Sequence, residues 1–163
     1  MEPYVHDFIG SLLGLVFGVL WVEWRARRDR ATQARLLRAN LVKACKFALG
    51  GIDKCLEFLL KESKVPNVRL DSASIGHILF TGRDLFENPK FFEDFNWQRY
   101  QLDHINAKLD YFHFYMAASG ETARSLMIAE RQSLVAHLRT TRKELGDLVD
   151  SFEQETNEMR CCK

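Results

Sequence analysis

The sequence predicts an all-α protein, with a single N-terminal transmembrane helix followed by a cytosolic bundle of three long helices and one short helix. The first observation behind this prediction is the apolar run 8–24, which has no charged side chain between Asp7 and Glu23. The second is that apolar residues recur every three or four positions in the segments that follow, which is the spacing of one helix face. No segment alternates apolar and polar residues comparably, so no β-strand is predicted.

The apolar run has several features of a membrane anchor. As a helix it would be about 26 Å long, slightly short of a typical hydrocarbon core of ~30 Å. Tyr4 before it, and Trp21 and Trp24 at its end, are aromatic residues of the kind found at headgroup level. A run of this length could also be a buried helix of a water-soluble domain. The flanking charge favours the membrane, because four arginines follow at once: Arg25, Arg27, Arg28 and Arg30.

These arginines also set the predicted orientation. A cleaved signal peptide would carry its positive charge before the apolar run instead of after it. The positive-inside rule places the N-terminus outside and the rest of the chain in the cytoplasm, as a single-pass protein of the cell inner membrane. The four arginines are expected to bind lipid headgroups. The predicted segments are an anchor at 1–24, a basic juxtamembrane segment at 25–35, a cytosolic helical domain at 36–156 and a flexible tail at 157–163.

Three glycines of the apolar run, Gly10, Gly14 and Gly18, are spaced four residues apart. Glycines at this spacing let two helix backbones approach closely in a membrane. One span offers this face no partner within its own chain. We therefore expect the partner to be a second copy, which would make a homo-oligomer, or another membrane protein.

The first cytosolic helix is predicted from an apolar stripe over residues 37–59 and should end near Lys61. Gly50 and Gly51 interrupt the stripe at a cost of about 1 kcal/mol each, and they could kink or break the helix. Since no helix breaker lies in residues 24–35, we expect one continuous helix from the anchor into the domain.

Three further helices follow. Asp71 or Ser72 can cap a short helix that runs to Phe80. Residues 81–96 are predicted to be an irregular connection whose phenylalanines pack over the helices, because the stretch is too apolar for disorder. A long helix is predicted at 97–118, and the last helix begins at Glu121. In the last helix two sets of residues recur every seven positions, which suits packing against a helix of the same chain or of another copy: Met127, Leu134, Thr141 and Leu148, and Arg131, Leu138, Leu145 and Phe152.

Composition and motifs argue against catalysis and against binding of duplex nucleic acid. The net charge is only +1, whereas general nucleic-acid binders are basic. Cys45 and Cys55 lie on the apolar stripe and are expected to be reduced core residues. The chain has no G-x-S-x-G, P-loop or H-E-x-x-H motif, and its cysteines and histidines lack metal-ligand spacing. We therefore predict no enzyme activity, no cofactor and no metal site.

A ligand site can be assembled from the middle of the chain. Phosphates are bound by arginine side chains or by N–H groups at a helix start, and bases stack on aromatic or guanidinium planes. Both kinds of group are supplied by Thr81, Arg83 and Lys90, together with Asn96, Trp97 and Arg99. In the alternative interpretation, Trp97 is a core residue and Arg99 a solvated surface charge.

The layout of a short anchor followed by a small cytosolic domain without strands resembles the membrane-associated effectors of type III CRISPR antiviral systems. The resemblance implies that the cytosolic domain binds a cyclic oligoadenylate and that the assembled membrane part damages the host membrane. A symmetric oligomer would suit such a cyclic ligand of repeated AMP units.

Two functions remain open on the sequence alone. The first is a membrane-anchored, homo-oligomeric sensor in which a nucleotide second messenger binds the helical domain and alters the membrane part. The second is a non-enzymatic structural tether that recruits a protein partner through its long C-terminal helix.

Overall fold

A computed structural model describes the backbone of residues 2–61, 67–83, 86, 88–117 and 121–161. The described residues form four helices and no strand: α1 (Glu2–Lys61), α2 (Ser72–Gly82), α3 (Pro89–Ala117) and α4 (Glu121–Cys161). The predicted all-α class, with three long helices and one short one, is confirmed. Of the predicted flexible tail, residues 157–161 continue α4, and residues 162 and 163 lie outside the described part.

The predicted transmembrane anchor is wrong. Across the described residues, no helix combines the length and the apolar character that crossing a membrane requires. Among the described side chains the apolar stretch is only residues 13–22, and Glu23 and the arginines follow it at once, whereas a spanning helix needs roughly 17–25 predominantly apolar residues. The predicted location as a single-pass inner-membrane protein is therefore wrong as well.

The chain divides into two compact units. Unit 1 is Met1–Leu37 and unit 2 is Arg38–Lys163. Within unit 1 the described backbone is entirely helical. The expected continuity of the first helix is confirmed, because α1 is helical from Glu2 to Lys61 and neither Gly50 nor Gly51 ends it.

Unit 2 is an antiparallel bundle around one core. Lys46 Nζ of α1 binds Glu153 Oε1 of α4 at 2.7 Å, and farther along α1 Asp53 pairs with Arg142. The α1 residue with the higher number therefore pairs with the α4 residue with the lower number. This order shows that α1 and α4 are antiparallel. The core draws apolar side chains from all four helices: Leu41, Cys45, Ala48, Ile52, Cys55 and Leu59 of α1; Ile75 and Leu79 of α2; Phe95, Leu102, Ile105, Leu109 and Phe112 of α3; and Leu134, Leu138, Leu145, Val149 and Phe152 of α4.

The two thiols in this core behave as apolar groups. Cys45 and Cys55 are both fully buried and both free. Burial raises the pKa of Cys45 to about 12 and that of Cys55 to about 11, because the thiolate loses its hydration there. The prediction that they are core residues is confirmed.

The described part of the heptad face of α4 packs inside its own bundle, and Met127 lies outside the described side chains. Leu134, Leu138 and Leu145 are buried in the core as predicted, but the next buried position is Val149, while Leu148 is only half-buried. The shift follows from the 3.6-residue period of the helix, which drifts away from a strict seven-residue repeat. Arg131, also in the predicted set, donates from Nε to the carbonyl of Leu59 at 2.8 Å.

The start of α3 differs from the sequence expectation. We predicted a helix from Trp97, whereas α3 begins at Pro89. Asn88 Oδ1 accepts a hydrogen bond from the backbone N–H of Lys90 at 3.1 Å, which is the geometry of an N-cap, and proline is favoured at the first helical position. Asn88-Pro89 is therefore a helix start. The start of α2 was predicted correctly, since Asp71 Oδ1 accepts from the N–H of Ser74 at 3.0 Å.

The phenylalanines near the start of α3 do pack over the bundle. The rings of Phe91 and Phe95 each lie 5.1 Å from the ring of Phe152 in edge-to-face geometry. Phe86 and Phe92 complete the cluster, with their ring centroids 5.9 Å apart. The cluster joins the beginning of α3 to the end of α4.

The segment before α2 is fixed to α3 and α1. The Asn106 side chain makes two hydrogen bonds to the backbone of Leu70. Its Oδ1 accepts from the Leu70 N–H and its Nδ2 donates to the Leu70 carbonyl, each at 2.9 Å. The Leu70 side chain is buried against Gly51, where a Cβ atom would lie 3.0 Å from Leu70 Cδ2. Gly51 therefore provides room for a close approach that any larger residue would disturb.

Candidate protein-interaction surface

One face of α3 is aromatic and points away from the core. It consists of six exposed residues, called the outer face below: Trp97, Tyr100, His104, Ala107, Tyr111 and Phe114. Their spacing alternates between three and four residues, which places them on one side of a helix. The opposite side of α3 carries Leu102, Ile105 and Leu109, which are buried in the core.

The aromatic side chains of the outer face are largely open to solvent. Their exposed fractions rise from 56% for Trp97 to 71% for Phe114. Trp97 and Tyr100 stack on each other, with ring centroids 6.1 Å apart and planes inclined by 18°. Aromatic side chains bury ~150–250 Å² each when fully covered. The four large aromatic residues of the outer face are Trp97, Tyr100, Tyr111 and Phe114. Covering their exposed parts would remove roughly 500 Å² from water, and exposed apolar patches of this size often mark interaction sites.

The two edges of the outer face carry opposite charge. On the edge next to α2, Asp103 accepts a hydrogen bond from Ser72 Oγ, and Asp110 Oδ2 lies 3.0 Å from Arg69 Nη2. On the edge next to α4, Lys108 Nζ donates to Ser133 Oγ at 3.3 Å. These contacts hold the two aspartates against α2 and the segment before it, and hold Lys108 against α4.

A histidine pair lies on the α4 edge. The rings of His104 and His137 are 5.4 Å apart, and His137 Nε2 lies 2.7 Å from Gln101 Oε1. Partial burial lowers the pKa of His137, and the nearby cation of Lys108 lowers it further. The imidazole of His137 therefore binds a proton less readily than that of a free histidine.

The predicted ligand residues lie on α2, on α3 and just after α2, and several of them make separate local contacts. Arg83 stacks over the ring of Phe92, with Cζ 5.8 Å from the centroid. Thr81 Oγ1 donates to the carbonyl of His77 at 2.7 Å, and Lys90 is exposed in the first turn of α3.

The remaining predicted ligand residues lie in the interior of α3, away from its N-terminus. Asn96 is exposed, and Trp97 belongs to the outer face. Arg99 lies over Gly76 of α2, and its Nε atom is 3.9 Å from Asp103 Oδ2.

Two surface cavities lie elsewhere. One of about 540 Å³ lies between the segment 69–73 and α3, where Asp103, Asn106 and Asp110 line it. The other, of about 590 Å³, lies between α1 and α2 next to Phe47. None of the six predicted ligand residues lines either cavity. Within the described residues, no group of three or more histidine, cysteine or acidic side chains is placed to hold a metal ion.

The predicted contact residues of unit 1 are open to solvent where they are described. No heavy atom would lie within 4 Å of a Cβ at Gly14 or Gly18; the surroundings of Gly10 lie outside the described side chains. The four arginines are exposed. Arg27 pairs with Glu23, and the guanidinium of Arg28 lies 5.5 Å from the ring of Trp24. Arg25 and Arg30 complete the exposed basic group.

Sequence reasoning missed the outer face, although its spacing is present in the sequence. Of its members, only Trp97 was given a role, as a ligand residue or alternatively as a core residue. The signal that could have found the face is the second three-four repeat, which begins at Trp97 and runs parallel to the core stripe.

No protein-family model, no curated protein and no solved structure matches this chain. Inference about function therefore depends on the residues of the chain itself, and above all on the outer face of α3.

Proposed function

We propose that the protein is a non-catalytic, homo-oligomeric helical module in which two copies associate through the outer face of α3. The observation that carries the proposal is the row of exposed aromatic side chains on the side of α3 opposite the core. Tyrosine and tryptophan are enriched at protein interfaces. The regular heptad spacing of the row fits a second helix better than it fits a small molecule.

The charges at the edges of the outer face favour a parallel pair. In parallel packing, a residue on one edge lies opposite the residue five positions later on the other edge of the partner helix. Asp103 of one copy would then lie opposite Lys108 of the second copy.

The size of the face fits a reversible dimer. About 500 Å² covered on each copy gives roughly 1,000 Å² in total, which is below the ~1,200–2,000 Å² of stable specific interfaces and within the range of weak, transient ones. We therefore expect two copies to associate weakly, so that the fraction of dimer depends on protein concentration.

The geometry supports this role better than the two functions predicted from the sequence. The described part of the heptad face of α4 is buried within its own bundle, so that part of the face is not available to a protein partner. A nucleotide sensor would need its arginine and aromatic groups to converge, whereas Arg83 stacks on Phe92 and Arg99 lies over Gly76.

Disulfide cross-linking tests the proposal. In a parallel pair Ala107 lies opposite Ala107 of the second copy, so an Ala107→Cys variant of the full chain should cross-link to itself under mild oxidation. Cys161 and Cys162 are replaced by serine in this background, and Cys45 and Cys55 are buried. Adding Tyr111→Ser should lower the cross-linked fraction at least tenfold.

The matched control is Phe80→Ser. Phe80 is 87% exposed on α2 and is not part of the outer face, so its replacement should leave the cross-link unchanged. If Ala107→Cys gives no cross-linked dimer over a range of concentrations, or if Tyr111→Ser and Phe80→Ser have equal effects, the outer face does not pair two copies.

A further inference from the structure

The segment 13–24 of unit 1 is a second exposed apolar surface, separate from the outer face of α3. Leu15, Phe17 and Val22 are each 67% exposed, and Trp21 is 62% exposed. A helix that is apolar on every side is normally buried, so this segment has the character of a surface that another helix covers.

We infer that unit 1 pairs with the same segment of a second copy, antiparallel and centred on Val16. In this register the numbers of two facing residues add up to 32. Gly14 therefore faces Gly18 of the second copy, and Asp7 faces Arg25 of the second copy. Asp7, Gly14, Gly18 and Arg25 all lie on one side of the helix, because their spacings of seven, four and seven match whole helical turns.

Charge decides the direction of the pair. The acidic residues Glu2 and Asp7 precede the apolar segment, and the arginines begin at Arg25. A parallel pair would bring the two groups of arginines together, and like charges in contact oppose association. An antiparallel pair places the arginines of each copy beside the acidic residues of the other.

The glycines suit the same register. Around Gly14 and Gly18 there is open space where a Cβ would lie, and glycine allows two backbones to approach closely. With Gly14 opposite Gly18 of the second copy, the closest approach lies at the middle of the pair. The apolar side chains beside them, such as Phe17 and Trp21, then cover the partner's backbone.

This pairing is independent of the outer face. Two isologous contacts on different parts of one chain link copies into a larger assembly rather than a simple dimer. The tests of the unit 1 pair therefore use a chain that carries Tyr111→Ser, in which the α3 contact is weakened, together with serine in place of Cys161 and Cys162.

Cross-linking determines the direction and the register. Ser11 and Trp21 face each other across the antiparallel pair, while each lies about 15 Å along the axis from its own counterpart. A mixture of the Ser11→Cys and Trp21→Cys proteins should therefore form a cross-linked heterodimer, and neither protein alone should cross-link. Cross-linking of each variant with itself would show parallel pairing and would overturn the inference.

Charge reversal tests the proposed contact at the ends. Arg25→Glu should lower the yield of the heterodimer at least tenfold, and adding Asp7→Arg should restore it. The control is Arg27→Glu, which changes the same charge about 160° around the helix from Arg25 and lies opposite the uncharged Val5 of the second copy. Failure of the rescue, or an equal loss with Arg27→Glu, would refute the antiparallel register while leaving the Ala107→Cys result unaffected.

Discussion

Replacing Gly50 and Gly51, two adjacent glycines of α1, by alanine should change the stability of the protein differently. Alanine is preferred over glycine in a helix interior by about 1 kcal/mol. At Gly50 no heavy atom would lie within 4 Å of the added methyl group. Gly50→Ala should therefore stabilise the protein by about 1 kcal/mol, which raises Tm by roughly 2–4 °C for a chain of this size.

At Gly51 the same methyl group meets the core. It would lie 3.0 Å from Leu70 Cδ2, well inside the optimal carbon–carbon distance of about 3.5–4.0 Å. Leu70 has little freedom to move, because its side chain is only 3% exposed and its backbone is bonded twice to Asn106. Overpacking of this kind costs ~1–3 kcal/mol, which cancels or exceeds the gain in helix propensity.

Urea unfolding followed by circular dichroism measures both variants. We expect Gly50→Ala to be the more stable of the two by about 1–3 kcal/mol. Each variant is the other's control, because the substitution and the helix are the same and only the neighbour differs. Equal stabilisation by both substitutions would mean that Leu70 does not pack against Gly51, and the position of the segment before α2 would be wrong.

Two other substitutions test polar groups of the bundle. Gln98 is buried, and although its Nε2 donates to Glu144 Oε2 at 3.0 Å, its Oε1 accepts no hydrogen bond from any described residue. Gln98→Met removes both the bond and the unpaired acceptor, and the two effects offset each other, so the free energy of unfolding should stay within about 1 kcal/mol of the parent value; a loss of several kcal/mol in urea unfolding would contradict this. Because the folded state lowers the pKa of His137 below its ordinary 6.5, the unfolded chain binds that proton more readily, and the contribution of His137 to stability is lost as the pH falls through and below 6.5. In unfolding curves at pH 7.5 and 5.5, His137→Gln should lose less stability on acidification than the parent, and an unchanged loss would exclude this role.

The sequence predicted helices well where one face is clearly apolar and the other clearly polar. In α4, Leu134, Leu138 and Leu145 were placed correctly because polar residues surround them. The pattern is less informative in α3, where Trp97 and Tyr111 make the outward side nearly as apolar as the inward side. Periodicity then identifies two faces and cannot say which one is buried, because that depends on how α2 and α4 pack.

Two further differences have local causes. Asn88 and Pro89 are common both in turns and at helix starts, and only the hydrogen bond to Lys90 distinguishes the two. In the apolar run the aromatic and basic flanks resembled those of a membrane anchor, although none of the described helices is both long and apolar enough to span a membrane. The candidate interaction surface was missed because periodicity alone does not show that Tyr111 and Phe114 point away from the core.

The aromatic cluster around Phe152 has a consequence for synthesis of the chain. Phe91 and Phe95 leave the ribosome long before Phe152, whose ring covers them in the folded protein. Until the last part of α4 emerges, these apolar groups have no permanent cover. A protein shortened from its C-terminus by a dozen residues would therefore present open phenylalanines to chaperones and proteases, and we expect it to be degraded rather than to accumulate.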